Sequence, residues 1–321
     1  MKKVFALLCA LCLLSSLVAC GGTGGSGGDK STYTVGVCQL AQHVALDAAT
    51  QGFQDALNDL LPDRVKIEVQ NASGEANNCS TIINGFVSDG VDLIMANATP
   101  ALTAAASATD KIPILGTSIT AYGVALDLED YNGTVGGNIS GTSDLADLEK
   151  QAQMVKDWFP EAKTVGLLYC SSEANSLYQV EEMTRHLTAL GYACQPFTFT
   201  DSNDVTSVAQ AACDACDVIY IPTDNTAATN AEAIANVVLP AGVPVAAGEE
   251  GICASCGVCT LSISYYDLGY TTGEMAAKVL TGEADISQMA IQYTDATPKY
   301  NAANCEALHI TPVDGYEAIK G

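Results

Sequence analysis

The chain has 321 residues, of which 48% are hydrophobic and 16% are charged, so it carries enough apolar material for a sizeable core. Its 13 Lys and Arg against 37 Asp and Glu give a formal net charge of −24. A chain this acidic is repelled by phosphate backbones and anionic membrane surfaces, which excludes nucleic-acid binding but names no ligand.

The N-terminus has the pattern of an export signal. A pair of lysines precedes an apolar run that ends in Leu-Val-Ala-Cys at Cys20. This pattern predicts a signal peptide over residues 1–19. The small residues before the cysteine resemble the lipobox of bacterial lipoproteins, so we expect Cys20 to be lipidated and residues 20–32 to form a glycine-rich tether. An ordinary secretory peptide cut near Ala19 is the alternative. Either way the body is extracytoplasmic, and with the lipid it is anchored to the bacterial cell membrane.

From Tyr33 onward, short apolar strands alternate with alanine-rich amphipathic helices. The predicted strands are Thr34–Cys38, Lys66–Asn71, Leu93–Ala96, Pro113–Gly116, Thr164–Tyr169, Ala193–Thr198, Val218–Pro222, Val243–Ala246 and Leu261–Ser264. Apolar spacing of three to four residues predicts helices near Leu46–Leu60, Asn77–Ser88, Pro100–Thr109, Leu145–Phe159, Ser176–Leu190, Thr226–Val238 and Asp267–Leu280. A glycine- and Asx-rich stretch, residues 122–144, separates the two series and holds a further candidate strand, Thr134–Ile139, that could run from one lobe to the other.

Strands that alternate with helices of this length predict an α/β protein with parallel sheets and right-handed crossovers. We interpret the pattern as two doubly wound lobes that face each other across a hinge, with the C-terminal part of the chain crossing back to complete both. The predicted limits are residues 33–137 plus 262–291 for lobe 1, and 138–261 plus 292–321 for lobe 2. Ligands bind beyond the carboxyl ends of the strands in such sheets, so the strand-end loops are where a site is expected.

These loops are rich in hydroxyls and amides, contain acids and have almost no bases. Their polar residues include Gln39, Gln42, His43, Thr99, Thr117, Ser118, Thr120, Ser172, Glu173, Asn175, Ser176, Asp224, Asn225, Glu249 and Glu250. Such a lining suits a small zwitterion, because hydroxyls and helix N-termini hold a carboxylate while Asp224 or Glu249 neutralises an ammonium. The alternative is that residues such as Ser172, Ser176 and Thr226 only cap helices.

Ten cysteines follow the N-terminal segment, and we leave open whether they pair. They are Cys38, Cys79, Cys170, Cys194, Cys213, Cys216, Cys253, Cys256, Cys259 and Cys305. The Cys213-x-x-Cys216 motif ends a predicted helix before a strand, whereas redox motifs of this kind follow a strand and begin a helix. The run from Cys253 to Cys259 resembles part of a ferredoxin-type ligand set but lacks the step to a fourth cysteine and its proline. We therefore expect a loop disulfide or free thiols, with no metal and no cofactor.

Five segments of the body resemble one protein family. They are VGVCQLAQHVALDAATQGFQDAL, VDLIMANATPALTAAASATDKIPIL, VGLLYCSSEANSLYQVEEM, DVIYIPTDNTAATNAEAI and SISYYDLGYTTGEMAAKVLTGE. The chain resembles the substrate-binding lipoproteins of ABC importers, in the subfamily of tryptophan- and tyrosine-binding proteins. The resemblance extends from about Tyr33 to the end. It implies a periplasmic-binding-protein-like type I fold, with two lobes joined by a three-strand hinge, and an α-amino acid as ligand, often aromatic.

The resemblance also implies which residues bind the ligand. In lobe 1 the family contacts correspond to Gln39, His43, Thr99 and Thr117. In lobe 2 they correspond to Ser172, Asn175, Ser176, Asp224 and Asn225, to which the loop composition adds Glu249. Two positions depart from the family pattern: Gln42 stands where an acidic residue usually precedes the histidine, and Ala121-Tyr122 stands where an Asp-Pro pair is common. Either change could alter the preferred side chain and leave the grip on the amino-acid backbone intact.

The leading hypothesis is a monomeric binding protein that captures an amino acid and delivers it to an ABC permease and its ATPase. We do not expect an enzyme, because the sequence contains no nucleophile elbow, no HExxH and no phosphate-binding loop. A hydrolase remains a weaker alternative because the loops combine serines with acids. A ligand-sensing accessory of a receptor is the third hypothesis.

Overall fold

A computed structural model describes residues 32–320 of the protein. The predicted signal peptide, Cys20 and nearly all of the tether lie outside these residues. The described part contains two mostly parallel β-sheets with helices on both faces, which confirms the predicted fold class. No helix within residues 32–320 is long and apolar enough to span a membrane.

The first sheet has six strands in the order β11-β5-β4-β3-β1-β2, with all neighbours parallel. Its strands are β1 (Tyr33–Gln39), β2 (Val65–Asn71), β3 (Leu93–Asn97), β4 (Ile114–Ile119), β5 (Ile139–Ser143) and β11 (Gln292–Tyr293). Its helices are α1 (Val44–Leu60), α2 (Ala76–Asp89), α3 (Thr99–Ala108), α4 (Tyr122–Ala125) and α11 (Tyr265–Leu280). Phe53 and Met275 fill the core under α1 and α11, and Phe86 and Leu102 fill the core under α2 and α3.

The second sheet has seven strands in the order β13-β12-β10-β9-β8-β6-β7, parallel except for the antiparallel pair β10–β12. Its strands are β6 (Thr164–Cys170), β7 (Ala193–Phe199), β8 (Val218–Ile221), β9 (Val245–Ala247), β10 (Cys259–Ser262), β12 (Thr297–Tyr300) and β13 (Glu317–Ala318). Its helices are α5 (Leu148–Trp158), α6 (Ala174–Ala189), α7 (Val205–Ala215), α8 (Asn225–Thr229), α9 (Ala231–Ala241), α10 (Glu250–Ser255) and α12 (Ala302–Ala307).

The chain passes between the two sheets three times: after β5 at Asp144, after β10 at residues 263–264, and after β11 at residues 294–296. Both β5 and β11 pair within the first sheet, although the predicted limits at 137/138 and 291/292 assigned them to lobe 2. We therefore propose lobe limits that follow the strand pairing, so that the chain changes lobe at each of the three crossings.

Two predicted elements differ from the structure for local reasons. The predicted strand Thr134–Ile139 is reduced to isolated bridges, because Gly136 and Gly137 have φ of 81° and 59°, and the strand starts at Ile139 instead. The predicted helix Thr226–Val238 is divided at Asn230, whose side-chain amide donates to the Thr226 carbonyl at 2.7 Å and ends α8.

Close packing of α1 on α11 requires glycine. A Cβ atom on Gly269 would lie 1.9 Å from the carbonyl oxygen of Ala49, and one on Gly52 would lie 2.1 Å from that of Tyr266. The two backbones therefore approach more closely than any side chain would allow. This contact fixes α11 against α1. Helix α11 follows the second crossing, and the N-terminus of α1 faces the other sheet.

Candidate functional site

A cavity lies between the two sheets, beyond the carboxyl ends of their strands. It is lined from the first lobe by His43, Ala45, Leu46, Ser118 and Thr120, from the second by Asn175, Thr223, Asp224, Asn225, Ala228 and Glu249, and from the crossings by Asp144 and Tyr265. Among the described residues that line it, none is Lys or Arg. The cavity is therefore polar, acidic and bounded by both lobes.

Five of the ten predicted site residues line this cavity. They are His43, Asn175, Asp224, Asn225 and Glu249. His43 begins α1 after β1, and its Nε2 lies 3.3 Å from Asn225 Oδ1 across the cleft. Burial lowers the pKa of the His43 imidazole, so the ring is neutral near pH 7. The contact joins the two lobes without adding a positive charge.

The other five predicted residues do not line the cavity: Gln39, Thr99, Thr117 and Ser176 are buried, and Ser172 is exposed. Gln39 donates to Asp47 Oδ1 at 2.6 Å and accepts from the Thr50 hydroxyl at 2.6 Å, which fixes the start of α1. Thr117 lies 3.2 Å from the hydroxyl of Thr142 on β5, oxygen to oxygen. Thr99 is in the first turn of α3. The Ser172 hydroxyl donates to the Thr200 carbonyl at 3.1 Å, and the Ser176 hydroxyl donates to Asp224 at 2.7 Å.

Asp224 and Glu249 each cap a short helix. Asp224 accepts from Ala227 N, Cys170 N and the Ser176 hydroxyl, each at 2.7 Å. Glu249 accepts from the backbone N–H groups of Gly251, at 2.7 Å, and of the next residue. Burial raises the pKa of both carboxyls to about 7, and at Asp224 the charge of nearby Glu173 adds to the effect. Both acids therefore act as helix N-caps.

Glu173 is buried and holds the start of α8, which contributes to the second-lobe lining, through hydrogen bonds. Its carboxylate accepts from Asn225 N at 3.0 Å, Asn225 Nδ2 at 2.8 Å, and both the backbone N and the hydroxyl of Thr226 at 2.8 Å. These bonds hold the first turn of α8 and orient the Asn225 side chain toward His43.

Two lining residues that the loop composition did not identify lie at the crossings. Asp144 directly follows β5, is 4% exposed, and accepts from the Tyr265 hydroxyl at 2.9 Å through Oδ2. Burial raises the pKa of the Asp144 carboxyl to about 6, and the hydroxyls of Tyr265 and Thr120 offset this only in part. A signal was available for Asp144, because an acid directly after a strand is placed at the sheet edge where ligands bind.

Three buried polar atoms around the cavity have no partner at hydrogen-bonding geometry within residues 32–320. These unpartnered atoms are Ser118 Oγ, Asp144 Oδ1 and Asn175 Oδ1. Ser118 also has φ of 56°, a conformation that costs energy in a residue with a Cβ, at a register shift between β4 and β5. Buried polar groups are nearly always paired, so three unpartnered atoms on residues that line one cavity indicate a site for a polar molecule.

None of the ten cysteines of the described chain lines this cavity. Within residues 32–320, no group of three or more His, Cys, Asp or Glu side chains is arranged to hold a metal ion. Cys253, Cys256 and Cys259 are buried as free thiols in the second-lobe core, and Cys216 caps the end of α7 before β8.

Residues 34–311 match the family model described as ABC transporter substrate binding protein. Over 261 residues the chain is 35% identical to a tyrosine-binding protein of Clostridioides difficile, which covers 79% of this chain and 74% of the relative. An ABC domain of Streptococcus pneumoniae in complex with L-Trp superposes with a TM-score of 0.85 at 29% identity, covering 90% of this chain and all of that one. A ligand-free, open substrate-binding protein from Clostridium difficile, with adhesive properties, superposes with a TM-score of 0.69 at 33% identity, covering 90% and 99%.

The two superpositions bear on the lobe arrangement. The open protein is the more similar in sequence, yet the chain superposes better on the L-Trp complex. A whole-chain superposition of two lobes depends on the angle between them, and a lobe angle nearer that of the complex would give this order of TM-scores. The contact between His43 and Asn225 across the cleft agrees with a closed arrangement.

Proposed function

The chain belongs to the ABC transporter substrate-binding protein family, and on this basis we propose that it captures an amino acid in the interlobe cavity and delivers it to an ABC permease and its ATPase. Aromatic amino acids are the first candidates, because one relative is named for tyrosine and one solved neighbour holds L-Trp. We also propose that the protein acts outside the cytoplasm, as a monomer anchored through lipidated Cys20.

The observation that carries the proposal is the set of unpartnered atoms facing one cavity from both lobes. Ser118 Oγ comes from the first lobe and Asn175 Oδ1 from the second. A ligand that bonds both at once stabilises the lobes against each other, so its binding shifts the population toward the closed state that a permease recognises.

The charge of the cavity favours a zwitterion over an anionic ligand. Because the described lining holds carboxylates and hydroxyls but no Lys or Arg, it disfavours phosphorylated or polyanionic ligands.

Within this proposal the ten predicted residues divide into two groups. Ligand contacts are assigned to the five that line the cavity, His43, Asn175, Asp224, Asn225 and Glu249. Positioning roles are assigned to the five that do not line it, Gln39, Thr99, Thr117, Ser172 and Ser176.

A thermal-shift screen of the purified protein against the twenty amino acids tests the proposal. A ligand present at 100 times its Kd stabilises the native state by about 2.7 kcal/mol, which corresponds to a rise in Tm of several degrees. If no amino acid raises the Tm, the assignment of an amino-acid ligand is wrong. Turnover of a peptide or ester by the same preparation would instead support the hydrolase alternative.

The anchor requires its own test, because Cys20 lies outside the described residues. A Cys20→Ser variant expressed beside the wild type should move from the membrane fraction to the soluble extracytoplasmic fraction. Equal membrane association of both proteins would contradict lipidation at this cysteine.

A further inference from the structure

Three carboxylates line the interlobe cavity, and they differ in how fully they are satisfied. Asp224 accepts three hydrogen bonds, two of them from backbone N–H groups. Glu249 accepts two from the N-terminus of α10. Asp144 accepts one at hydrogen-bonding geometry, from Tyr265. The nearby Thr120 hydroxyl also favours its charged form, but Asp144 Oδ1 has no partner at hydrogen-bonding geometry in the described chain. Asp144 is therefore the one of the three with a carboxylate oxygen that makes no hydrogen bond in the described chain.

The position of Asp144 supports the same assignment. It is neither in a sheet nor at a helix N-terminus, so no helix dipole compensates its charge as at Asp224 and Glu249. The described lining contributes no Lys or Arg, and the one lining histidine, His43, is directed at Asn225 and uncharged near pH 7. A buried carboxylate with a free oxygen is costly unless a cation or donor meets it. Because the described lining supplies no cation near pH 7, the molecule that occupies the cavity is the available source of one.

We propose that Asp144 binds the ammonium group of the ligand, and that this contact makes the site select primary amines over otherwise identical acids. The sequence assigned this role to Asp224 or Glu249, which we now regard as structural caps that also face the cavity. The inference rests on the proposed amino-acid ligand and specifies which end of it meets which side chain.

Tyr265 gives the contact its geometry. Its hydroxyl donates to Asp144 Oδ2 at 2.9 Å, and it begins α11 directly after the second crossing, whereas Asp144 is at the first. The bond therefore ties two of the three interlobe connections together and leaves Oδ1, the other oxygen of the carboxylate, unpartnered in the described chain. An ammonium bound to Oδ1 is held beside these two connections.

The test measures whether the preference for the amine depends on Asp144. Calorimetric titrations of the full chain would use L-tyrosine and L-tryptophan, each paired with its des-amino analogue, 3-(4-hydroxyphenyl)propionate or indole-3-propionate. The wild type should bind at least one of the amino acids at least about 100-fold more tightly than its analogue, because a site built around a polar group rejects a ligand that lacks it. Asp144→Asn should reduce this preference to less than about 5-fold, mainly by lowering the affinity for the amino acid.

Two further variants make the result specific. Asp295→Asn makes the same change at an exposed aspartate in the third crossing and should bind both ligands as the wild type does. Asp144→Glu retains the charge and should keep part of the preference, which guards against a variant that merely misfolds. Folding of each variant is checked by its circular dichroism spectrum.

The outcomes separate this inference from the function on which it rests. If the wild type binds neither amino acid, the proposed function fails for these ligands and the role of Asp144 fails with it. If the wild type binds one of them and Asp144→Asn keeps the full preference, the function stands and the assignment of Asp144 is wrong. Loss of the preference in Asp224→Asn alone would return the role to Asp224.

Discussion

Asp144→Asn should change how the stability of the ligand-free protein depends on pH. Burial raises the pKa of the Asp144 carboxyl from an ordinary 3.8 to about 6. A carboxyl whose pKa is higher in the folded than in the unfolded state destabilises the fold once it ionises, so this contribution grows as the pH rises from about 4 to above 6. At full ionisation a difference of about two pKa units corresponds to about 3 kcal/mol. The residue is 4% exposed, so solvent screens little of this.

The asparagine variant lacks this titration. Its Oδ1 can still accept from the Tyr265 hydroxyl, and any cost of its amide N–H groups is independent of pH. We therefore expect the free energy of unfolding of the variant, relative to the wild type, to increase by roughly 2.5 kcal/mol between pH 4 and pH 8.

Neighbouring groups alter this figure only modestly. Glu249, Tyr265 and Tyr122 are electrostatically coupled to Asp144. Burial raises the pKa of both tyrosines well above its usual value, so they stay neutral up to pH 8. Glu249 titrates in both proteins, and relief of its repulsion by Asp144 adds to the difference in the same direction.

Urea unfolding at pH 4, 6 and 8, followed by far-UV circular dichroism, measures the difference. Asp295→Asn is the matched control, because that aspartate is exposed and its substitution should leave the pH dependence unchanged. Parallel stability curves for the wild type and Asp144→Asn would show that the carboxyl is not desolvated, and the physical basis of its proposed ligand role would be lost.

Three other substitutions address packing, strain and the contact across the cleft. Gly269→Ala should destabilise the protein by about 1–3 kcal/mol in urea unfolding, because the added Cβ meets the backbone of α1. The control Gly85→Ala, on an exposed turn of α2, should be neutral or stabilising. Equal effects of the two substitutions would contradict the close approach of α1 and α11. Ser118→Gly should weaken ligand binding, because it removes a hydroxyl, but it should not lower Tm, because glycine adopts the left-handed backbone without strain. The control His309→Gly, at φ 55° on the surface, should leave binding unchanged. His43→Ala should weaken binding by about fivefold in calorimetric titration, the value of one ordinary hydrogen bond, and unchanged affinity would show that the cross-cleft contact does not stabilise closure.

The fold was predictable because each unit of it is local. Apolar runs such as Leu93–Ala96 and helical spacing such as Leu46–Leu60 report burial directly, and parallel pairing follows once strands and helices alternate. The lobe limits were less accessible. They depend on whether β5 pairs with β4 or with the second sheet, and hydrogen-bond partners in a parallel sheet are distant in sequence.

The candidate site divides in the same way. His43, Asn175 and Asp224 follow strands that the periodicity defines, so the rule for strand ends placed them at the cavity. Asp144 follows a strand displaced toward the C-terminus from its predicted position by two glycines with positive φ, inside a stretch that composition marks as a connection. Nor does sequence distinguish Thr117, which bonds inward to β5, from Ser118, which faces the cavity, because a register shift decides between them.

The unpartnered atoms also bear on why closure should require ligand. In an open cleft water can bond Ser118, Asp144 and Asn175, whereas closing the lobes without ligand would desolvate all three. Each such group costs about 1–3 kcal/mol, so closure without ligand should be disfavoured by several kcal/mol, and a zwitterion that bonds all three removes that penalty. Small-angle X-ray scattering tests this: the ligand-free wild type should be more extended than its ligand complex, and Ser118→Gly, which removes one of the three groups outright, should be more compact than the wild type without ligand. Identical ligand-free profiles for the two proteins would show that other contacts set the balance between open and closed lobes.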